Sequence, residues 1–319
     1  GARIREELEF VPKWIVAAGL GFEHSHVNVQ AINYSGTGAF SSRANADRDF
    51  SNWAPEMSLS WKPAEGYRHW VRASTGYAIP QFGQLTRDPV TGAPGTNFSL
   101  KPQKNLNFEI GTESKLRKDL TIELVGFMVF VKDEFITQNI NSTVNTATVN
   151  ADSSRYRGVE VAYDWRPWSG WRFSGAYTHT EARYTNFTDV TQTATLVRDG
   201  KRVPNVPSDV LNFKEAYDHP SGWGGWFETS YYNSYSLNNN NTIGIPAYWL
   251  MNANLHKTWN FQNSWVRFAK LYVEMDNIID KKYAASGQVV GAENPSTTNL
   301  LYFAGYGRSI YGGLTLGVF

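Results

Sequence analysis

Few residues of this chain have types and spacings that could carry out chemistry. The sequence contains six histidines and no cysteine, so disulfides and thiolate metal sites are excluded. His24 and His26 form a histidine pair on one strand face, and such a pair could bind a metal ion. With help from another residue, it could also supply the base of a serine hydrolase. The remaining histidines are scattered, so we expect no catalytic residues and no metal site.

Two further polar clusters are expected to be structural. Asp133 and Glu134 lie where a strand meets a long loop, and we expect a solvated surface pair rather than an acid and a base. The run of four asparagines at 238–241 predicts a turn. The sequence therefore gives little support for an enzyme.

The composition limits the class of protein. A net charge of +1 provides no basic field of the kind that attracts nucleic acid. No apolar run reaches about 18 residues, which excludes a membrane-spanning helix. A role in a membrane would therefore have to come from strands.

Apolar and polar residues alternate with a period of two. Between residues 52 and 61, Trp53, Met57 and Leu59 alternate with asparagine, glutamate and serine. The same alternation recurs in four other segments: 105–111, 157–166, 248–257 and 271–277. Because successive side chains of a strand point to opposite faces, this pattern predicts an all-β chain.

Short links and long loops alternate along the chain. The short links lie near residues 11, 62, 117, 166, 218 and 260, and the long loops span roughly 31–51, 80–103, 137–153, 186–206, 237–246 and 280–307. Short turns at one rim and long loops at the other are typical of a transmembrane β-barrel. The links separate thirteen predicted strands, beginning with a weak one near Ala2–Phe10.

A soluble β-sandwich would show the same alternation. Its strands average about five or six residues, whereas several strands here extend over about ten residues or more, as a tilted strand crossing a bilayer requires. Tryptophans also gather near strand ends, as in the aromatic girdles of membrane barrels: Trp14, Trp53, Trp61, Trp165, Trp168, Trp171, Trp223, Trp226, Trp249 and Trp259. The sequence therefore favours a transmembrane antiparallel β-barrel.

Several stretches, taken in order, resemble the C-terminal barrel of the TonB-dependent outer-membrane receptors. They include "VRASTGYAIPQFGQL", "RYRGVEVAYDWRP", "VPNVPSDVLNF", "LYVEMDNIIDKKYA" and the closing "GRSIYGGLTLGVF". The most specific marks are Leu100-Lys101-Pro102 leading to Glu109-Ile110-Gly111, the Arg157-Gly158-Val159-Glu160 box, and the run from Asp276 to Tyr283. The resemblance covers nearly the whole chain.

The resemblance implies the architecture of a larger receptor. Members of this family have about 22 strands and an N-terminal plug domain, so residues 1–319 are expected to be the last thirteen strands, with the plug and the TonB-binding segment missing. An open sheet edge in lipid would leave backbone groups unpaired, so we expect thirteen strands alone not to close. The final Phe319 resembles the signal read by the barrel-assembly machinery. It is out of phase with Leu314, Leu316 and Val318 unless the strand is irregular near Gly317.

The resemblance also implies a function. It predicts an outer-membrane receptor of a Gram-negative bacterium, surrounded by lipid and lipopolysaccharide, that imports a metal chelate with energy from the TonB complex. The expected ligand is a ferric siderophore, and no cofactor is expected. Cobalamin, haem and copper chelates remain alternatives, although the stretch "GTNFSLKP" has no histidine close by, which disfavours haem. A passive porin, an autotransporter translocator and an outer-membrane lipase or protease are further alternatives.

The family's binding site indicates where to look for ligand contacts in this chain. Aromatic and arginine residues of the outer loops and the upper lumen hold the ligand in this family. The matching candidates here are Tyr77, Gln81, Phe82, Arg155, Tyr156, Tyr235, Tyr302 and Tyr306. Other loop arginines lie at positions 43, 48, 87 and 198. The His24–His26 pair is expected to face the lumen near the outer rim. The residues expected to face lipid are Trp53, Met57, Leu59, Val159, Val161, Met251 and Leu255.

Overall fold

The computed structural model describes residues 1–34, 36–139, 146–190, 195–262, 265–290 and 299–318, and strands make up most of these. The strands are β1 (Ala2–Val11), β2 (Trp14–Tyr34), β3 (Phe40–Trp61), β4 (Tyr67–Ala78), β5 (Gln103–Arg117), β6 (Leu120–Asn139), β7 (Thr146–Trp165), β8 (Trp171–Asn186), β9 (Thr188–Val190), β10 (Thr195–Val197), β11 (Asp209–Asp218), β12 (Trp223–Tyr232), β13 (Tyr235–Ser236), β14 (Gly244–Ile245), β15 (Tyr248–Asn260), β16 (Val266–Asp276), β17 (Ala284–Val290), β18 (Asn299–Ala304) and β19 (Ser309–Val318). A helix of four residues, α1 (Phe82–Leu85), follows β4. No helix in the described part of the chain has the length and apolar content needed to cross a membrane.

Thirteen strands form one sheet, which confirms the predicted strand number and the all-β class. Their order is β1-β2-β3-β4-β5-β6-β7-β8-β11-β12-β15-β16-β19, so each strand lies beside its neighbour along the chain. Within the described residues, β1 and β19 are the two edges of this sheet and do not pair with each other. Three small hairpins, β9–β10, β13–β14 and β17–β18, lie in the long connections.

The short links are found where they were predicted, whereas two of the predicted long loops are wrong. Gly170 shows why a tight link needs glycine: its φ is +79°, and a Cβ there would lie 2.3 Å from the Asp218 carbonyl oxygen. The predicted loop 31–51 is mostly strand, since β2 runs to Tyr34 and β3 begins at Phe40. The predicted loop 137–153 likewise consists largely of β6 and β7. These segments alternate between polar and small residues, so their period of two carries little hydrophobic contrast.

One row of directly opposed residues crosses ten strands and shows that the strands are tilted. It begins at the rim with short turns and ends at the rim with long loops: Trp14, Trp61, His69, Thr112, Leu124, Val161, Tyr177, Leu211, Tyr231 and Trp249. A row perpendicular to the strands climbs from one rim to the other only if the strands are inclined, and barrels require this stagger.

The two faces of the main sheet differ in chemistry. The face that carries this row, here called the apolar face, exposes large side chains, with Trp53 62% and Leu255 60% accessible. All seven residues predicted to face lipid lie on it. Aromatic pairs stand at both rims, with ring centroids 5.7 Å apart for Trp14 and Trp61 and 4.6 Å apart for Tyr231 and Trp249. Such exposure is unfavourable in water, so this face requires an apolar environment.

The opposite face, here called the polar face, carries paired charges. The Glu56 carboxylate accepts hydrogen bonds from Arg3 at 2.5 Å and Arg72 at 2.9 Å. The Trp70 indole donates to Glu109 at 2.5 Å. Pairing of this kind offsets the cost of holding charges inside a wall of strands.

The last strand, β19, has an irregularity near Gly317, where the sequence predicts one if Phe319 is to be in phase with Leu314, Leu316 and Val318. Gly317 pairs with Phe268, but the next residue, Val318, pairs with Val266, so the register shifts by one residue there. Phe319 lies outside the described residues, and its phase therefore stays a prediction.

Exchange of Val161 for arginine tests the apolar face, because Val161 lies on that face of β7 between Val159 and Tyr163, midway between Arg157 and Trp165. In the full-length protein, V161R should reduce the free energy of unfolding in lipid vesicles by about 2–4 kcal/mol, since an arginine at mid-bilayer is poorly solvated. Urea titration of vesicle-inserted protein measures this. The matched control is A162R, which places the same side chain on the polar face opposite Glu123 and should cost much less. Equal losses would contradict the assignment of faces.

Candidate ligand-binding rim

The long connections gather at one end of the main sheet and form what we call the long-loop rim. Its described parts belong to segments 79–102, 187–208, 233–247 and 277–308, together with the adjoining strand ends. Seven of the eight predicted ligand-binding residues, all except Arg155, lie at this rim. The rim is built from three packed clusters that are joined to one another by hydrogen bonds.

The first cluster positions Gln81 and Phe82. Gln81 precedes α1, and its backbone N–H donates to the Gln84 side chain at 2.7 Å, which fixes the start of the helix. Leu85, at the other end of α1, is buried with Leu100 and Ala46. This anchor leaves the Phe82 side chain 60% exposed at the rim. Phe82 is therefore available for contact with a ligand.

Tyr77 lies just before this cluster and is already engaged. Its hydroxyl donates a hydrogen bond to the Glu23 carboxylate, which also accepts from Ser25 at 2.8 Å. A ligand that bound the Tyr77 hydroxyl would have to replace or share the contact with Glu23.

Segment 79–102 is tied to its neighbours on both sides. Arg48 of β3 donates to the Phe98 carbonyl at 2.6 Å, and the Asn97 side chain donates to the Thr148 carbonyl of β7 at 2.8 Å. Asn150 bonds both the N–H and the carbonyl of Lys101, at 2.9 and 3.0 Å. The segment therefore bridges β3 and β7 across the rim.

The second cluster partly buries Tyr156 and corrects the prediction for Glu134. Glu134 is buried rather than solvated, and it accepts hydrogen bonds from the Ser154 and Tyr156 hydroxyls. Burial, together with the nearby carboxylate, raises the pKa of Tyr156, so its hydroxyl stays protonated. The surrounding core consists of Ile136, Ala151, Ala182, Tyr184, Phe187 and Val203. The error arose because neighbouring loops cover Glu134, and local sequence does not reveal such cover.

The asparagine run does more than form the predicted turn. Asn239 accepts a hydrogen bond from the Tyr184 hydroxyl at 2.9 Å, and Asn240 accepts one from Arg198. Asn241 binds the Arg202 backbone at both its N–H, 2.7 Å, and its carbonyl, 2.9 Å. The run therefore fastens segment 233–247 to segment 187–208. Sequence reasoning missed this role, although four consecutive amides were a visible signal for a hydrogen-bonded contact.

A buried ion pair holds segment 187–208 together. Arg198 donates to the Asp189 carboxylate at 2.8 Å, and the two side chains are only 3% and 5% exposed. Arg198 had been grouped with the loop arginines that could bind a ligand, but this pairing makes it a structural residue.

The third cluster brings Tyr235 and Tyr302 together. The Tyr235 hydroxyl donates to the Ala285 carbonyl at 3.4 Å, and the Tyr302 hydroxyl donates to the Gly244 carbonyl at 3.3 Å. Their hairpins thus pack against each other over a core that includes Tyr248. Tyr306 follows β18 with its side chain 89% exposed. Of the predicted residues, Phe82, Tyr302 and Tyr306 present the most accessible aromatic surface.

Arg155 lies on the other side of the wall. It is directly opposite Phe130 on β6 and Arg183 on β8. It lies four residues from Val159 on the same strand, so both side chains are on the apolar face. A role for Arg155 in ligand binding stays a prediction, but its register directs the side chain away from the polar face.

The prediction that His24 and His26 face the lumen is wrong. Both follow Phe22 at intervals of two, and the Phe22 ring contacts Trp53 on the apolar face at 4.6 Å. His24 contacts the Ser51 hydroxyl at 2.9 Å, and His26 contacts Asp49 at 3.0 Å. This exposed cluster lies on an open strand surface whose backbone N–H groups are used by the sheet, so it lacks an oxyanion hole. In the described residues, no group of three or more His, Cys, Asp or Glu side chains is placed to hold a metal ion.

Comparison with known proteins identifies the family. Residues 4–278 match the family described as TonB dependent receptor-like, beta-barrel. The chain belongs to this family. It is 21% identical over 289 residues to the probable TonB-dependent siderophore receptor PiuA of Acinetobacter baumannii, covering 87% of the chain and 36% of that receptor.

Solved receptors share the fold. The ferric yersiniabactin uptake receptor FyuA of Yersinia pestis superposes with a TM-score of 0.71 at 17% identity, covering 98% of this chain and 44% of FyuA. The copper transporter OprC superposes with a TM-score of 0.72 at 13% identity, covering 97% of this chain and 46% of OprC. The chain thus spans less than half the length of the relatives it matches.

Membership in the family assigns the two faces and the two rims. The main sheet is part of the wall of a β-barrel in the outer membrane of a Gram-negative bacterium. The apolar face contacts lipid, and the polar face lines the lumen. The short-turn rim faces the periplasm, and the long-loop rim faces the outside.

Loss of Arg198 tests whether the buried ion pair organises the rim. R198A would leave the Asp189 carboxylate buried without its partner, at a cost of about 3–5 kcal/mol. We expect faster amide hydrogen exchange in residues 195–206 and 237–243 of the full-length protein. The matched control is R166A, which removes an arginine from the exposed pair with Asp164 and should cost less than about 1 kcal/mol. Unchanged exchange in R198A would show that this pair does not hold the rim.

Proposed function

We propose that this chain forms the barrel wall of a receptor that binds a ferric siderophore at its long-loop rim. Uptake is driven by TonB acting through a plug domain encoded elsewhere in the full-length protein. PiuA is a probable siderophore receptor, and FyuA is an uptake receptor for ferric yersiniabactin. These names support a metal chelate as the ligand class.

The observation that carries the proposal is the continuous, tethered rim. Hydrogen bonds link β3 to segment 79–102, this segment to β7, and segment 187–208 to segment 233–247. The hairpin β17–β18 joins this last segment through Tyr302. A pre-organised rim lowers the entropy cost of binding a bulky ligand. Exposed Phe82 and Tyr306 offer aromatic surfaces for its organic part.

A copper complex is a second candidate because OprC has the same fold. The two candidates differ in ligand chemistry. A siderophore presents a large organic surface to aromatic side chains, whereas copper requires nitrogen, sulfur or oxygen ligands arranged around the ion. The described rim offers aromatic surfaces and no clustered metal ligands, which favours the chelate.

Titration of the full-length receptor tests the function. We expect tighter binding of iron-loaded siderophores than of their iron-free forms or of copper ions, measured by calorimetry. Uptake of radioactive iron by cells should require an intact TonB. A receptor without preference for any metal-loaded chelate, or uptake that persists without TonB, would refute the proposal.

Substitution of two exposed aromatic residues tests the location of the site. F82A and Y306A should each weaken binding of the ferric siderophore by about 0.5–1.5 kcal/mol, the contribution of one aromatic contact. The matched control is F98A, because Phe98 is 55% exposed in the same segment as Phe82 but was not predicted to bind. An equal loss in F98A, or no loss in either test variant, would place the site elsewhere.

A further inference from the structure

A group of cations lies on the apolar face of β5 to β8, on the side of the lipid-contacting residues that is nearer the long-loop rim. We call it the basic patch, and it consists of Lys104, Lys132, Arg155, Arg157 and Arg183. The siderophore proposal does not involve the patch as a whole, because its side chains point away from the lumen.

The sheet register fixes both the direction and the height of the patch. Lys104 follows Leu106 on β5, and Lys132 follows Phe130 on β6, each two residues farther toward the outside. On β7, Arg157 and Arg155 continue the side of the strand that carries Val159. On β5, β6 and β7 the first cation therefore comes directly after the last apolar residue, at the level where the headgroups of the outer leaflet begin. On β8, Arg183 lies farther out, beyond His179 and Glu181.

The cations are placed close to one another. Lys104 is directly opposite Lys132, and Arg155 is directly opposite Arg183. Side chains in such pairs have Cβ atoms about 4.5–5.5 Å apart, and like charges opposite each other are destabilising. An anion bound between such opposed cations would reduce their repulsion.

The protein itself supplies little such negative charge. Glu181 pairs with Arg157 at 2.5 Å and with Arg183 at 2.6 Å. Among the described residues, Lys104, Lys132 and Arg155 form no ion pair. Three cations are left to bind an external anion.

Other sectors of the same surface lack this excess of positive charge. At the corresponding position beyond the apolar residues of β2 and β3, His24 and His26 accompany Asp47 and Asp49. On β11, Asp209 pairs with His179 of β8 at 2.8 Å. The positive charge is therefore concentrated in one sector and is not a general feature of the outer girdle.

We infer that the basic patch binds the phosphate groups of an anionic lipid of the outer leaflet, with the lipid's acyl chains lying against Leu106, Phe108 and Phe130. Arginine can grip a phosphate through two parallel hydrogen bonds, and lysine adds compact positive charge. Apolar side chains directly below the cations match an amphiphile with a phosphorylated head and hydrocarbon tails. A freely diffusing anion would gain nothing from this apolar surface.

The test measures binding of fluorescent diphosphorylated lipid A to the full-length receptor in neutral detergent micelles. The double variant K104Q/K132Q should bind it about tenfold more weakly or worse, because it loses two charge-assisted contacts. The charge-conserving variant K104R/K132R should retain binding. The matched control K62Q/K118Q removes two exposed lysines from the short-turn rim and should bind as the unaltered receptor does.

Several outcomes would overturn the inference. These are unchanged binding by K104Q/K132Q, an equal loss in K62Q/K118Q, or equal binding of dephosphorylated lipid A by the unaltered receptor. Displacement of lipid A by an equal concentration of inorganic phosphate would assign the patch to a free ion instead. Heat-modifiable migration on gels confirms that each variant is folded. R155Q is an independent variant in the same patch and should also bind lipid A more weakly.

Discussion

Continuous backbone pairing from β1 to β19 is the constraint on which the rest of this structure depends. Lipid offers no hydrogen-bond partners, so every peptide group within the bilayer must be paired with a neighbouring strand. Pairing also fixes the face of each side chain, because a slip of one residue would exchange the two faces of a strand. The single row from Trp14 to Trp249 shows that this register is maintained across ten strands.

The same register determines how the protein meets its surroundings. On the apolar face, the change from Val159 to Arg157 occurs within two residues and marks the end of the lipid-contacting surface. On the polar face, charges such as Glu56 are held by partners on other strands, here Arg3 of β1 and Arg72 of β4. Beyond the bilayer, strand pairing alone no longer defines the structure, and the amide side chains of asparagines hold the loops in place. Asn97, Asn150 and Asn241 each join a loop to backbone groups of another segment.

Sequence reasoning predicted the parts of the fold that depend on local pattern. Alternation in five segments indicated an all-β chain, and counting the segments between the predicted links gave thirteen strands. It failed where hydrophobic contrast is weak, as in the end of β2 and the outer half of β3, which were predicted as a loop. It also failed for Glu134, whose burial depends on contacts between segments distant in sequence. The face of His24 could have been predicted, since it shares the parity of Phe22 within one strand.

The candidate site shows the same contrast between features set by local sequence and features set by contacts between distant segments. The sequence identified aromatic residues at strand ends, but not which hydroxyls are already engaged. Tyr77 and Tyr156 are held by carboxylates, whereas Phe82 and Tyr306 remain exposed. The side chain of Arg155 could also have been assigned to the apolar face from the sequence, because Arg155 and Val159 are an even number of residues apart on one strand. The loop tethers could not be predicted, because each joins residues about 40 to 50 positions apart in the chain.

A structure of the full-length receptor with a bound ferric siderophore would test the central claim most directly. The account predicts that the chelate lies inside the long-loop rim, in contact with exposed aromatic residues of segment 79–102 and of the region following β18. The tethers from Asn97 to Thr148 and from Asn241 to Arg202 should be present in that complex. A chelate bound on another surface, or a rim whose segments separate when the chelate binds, would contradict the account.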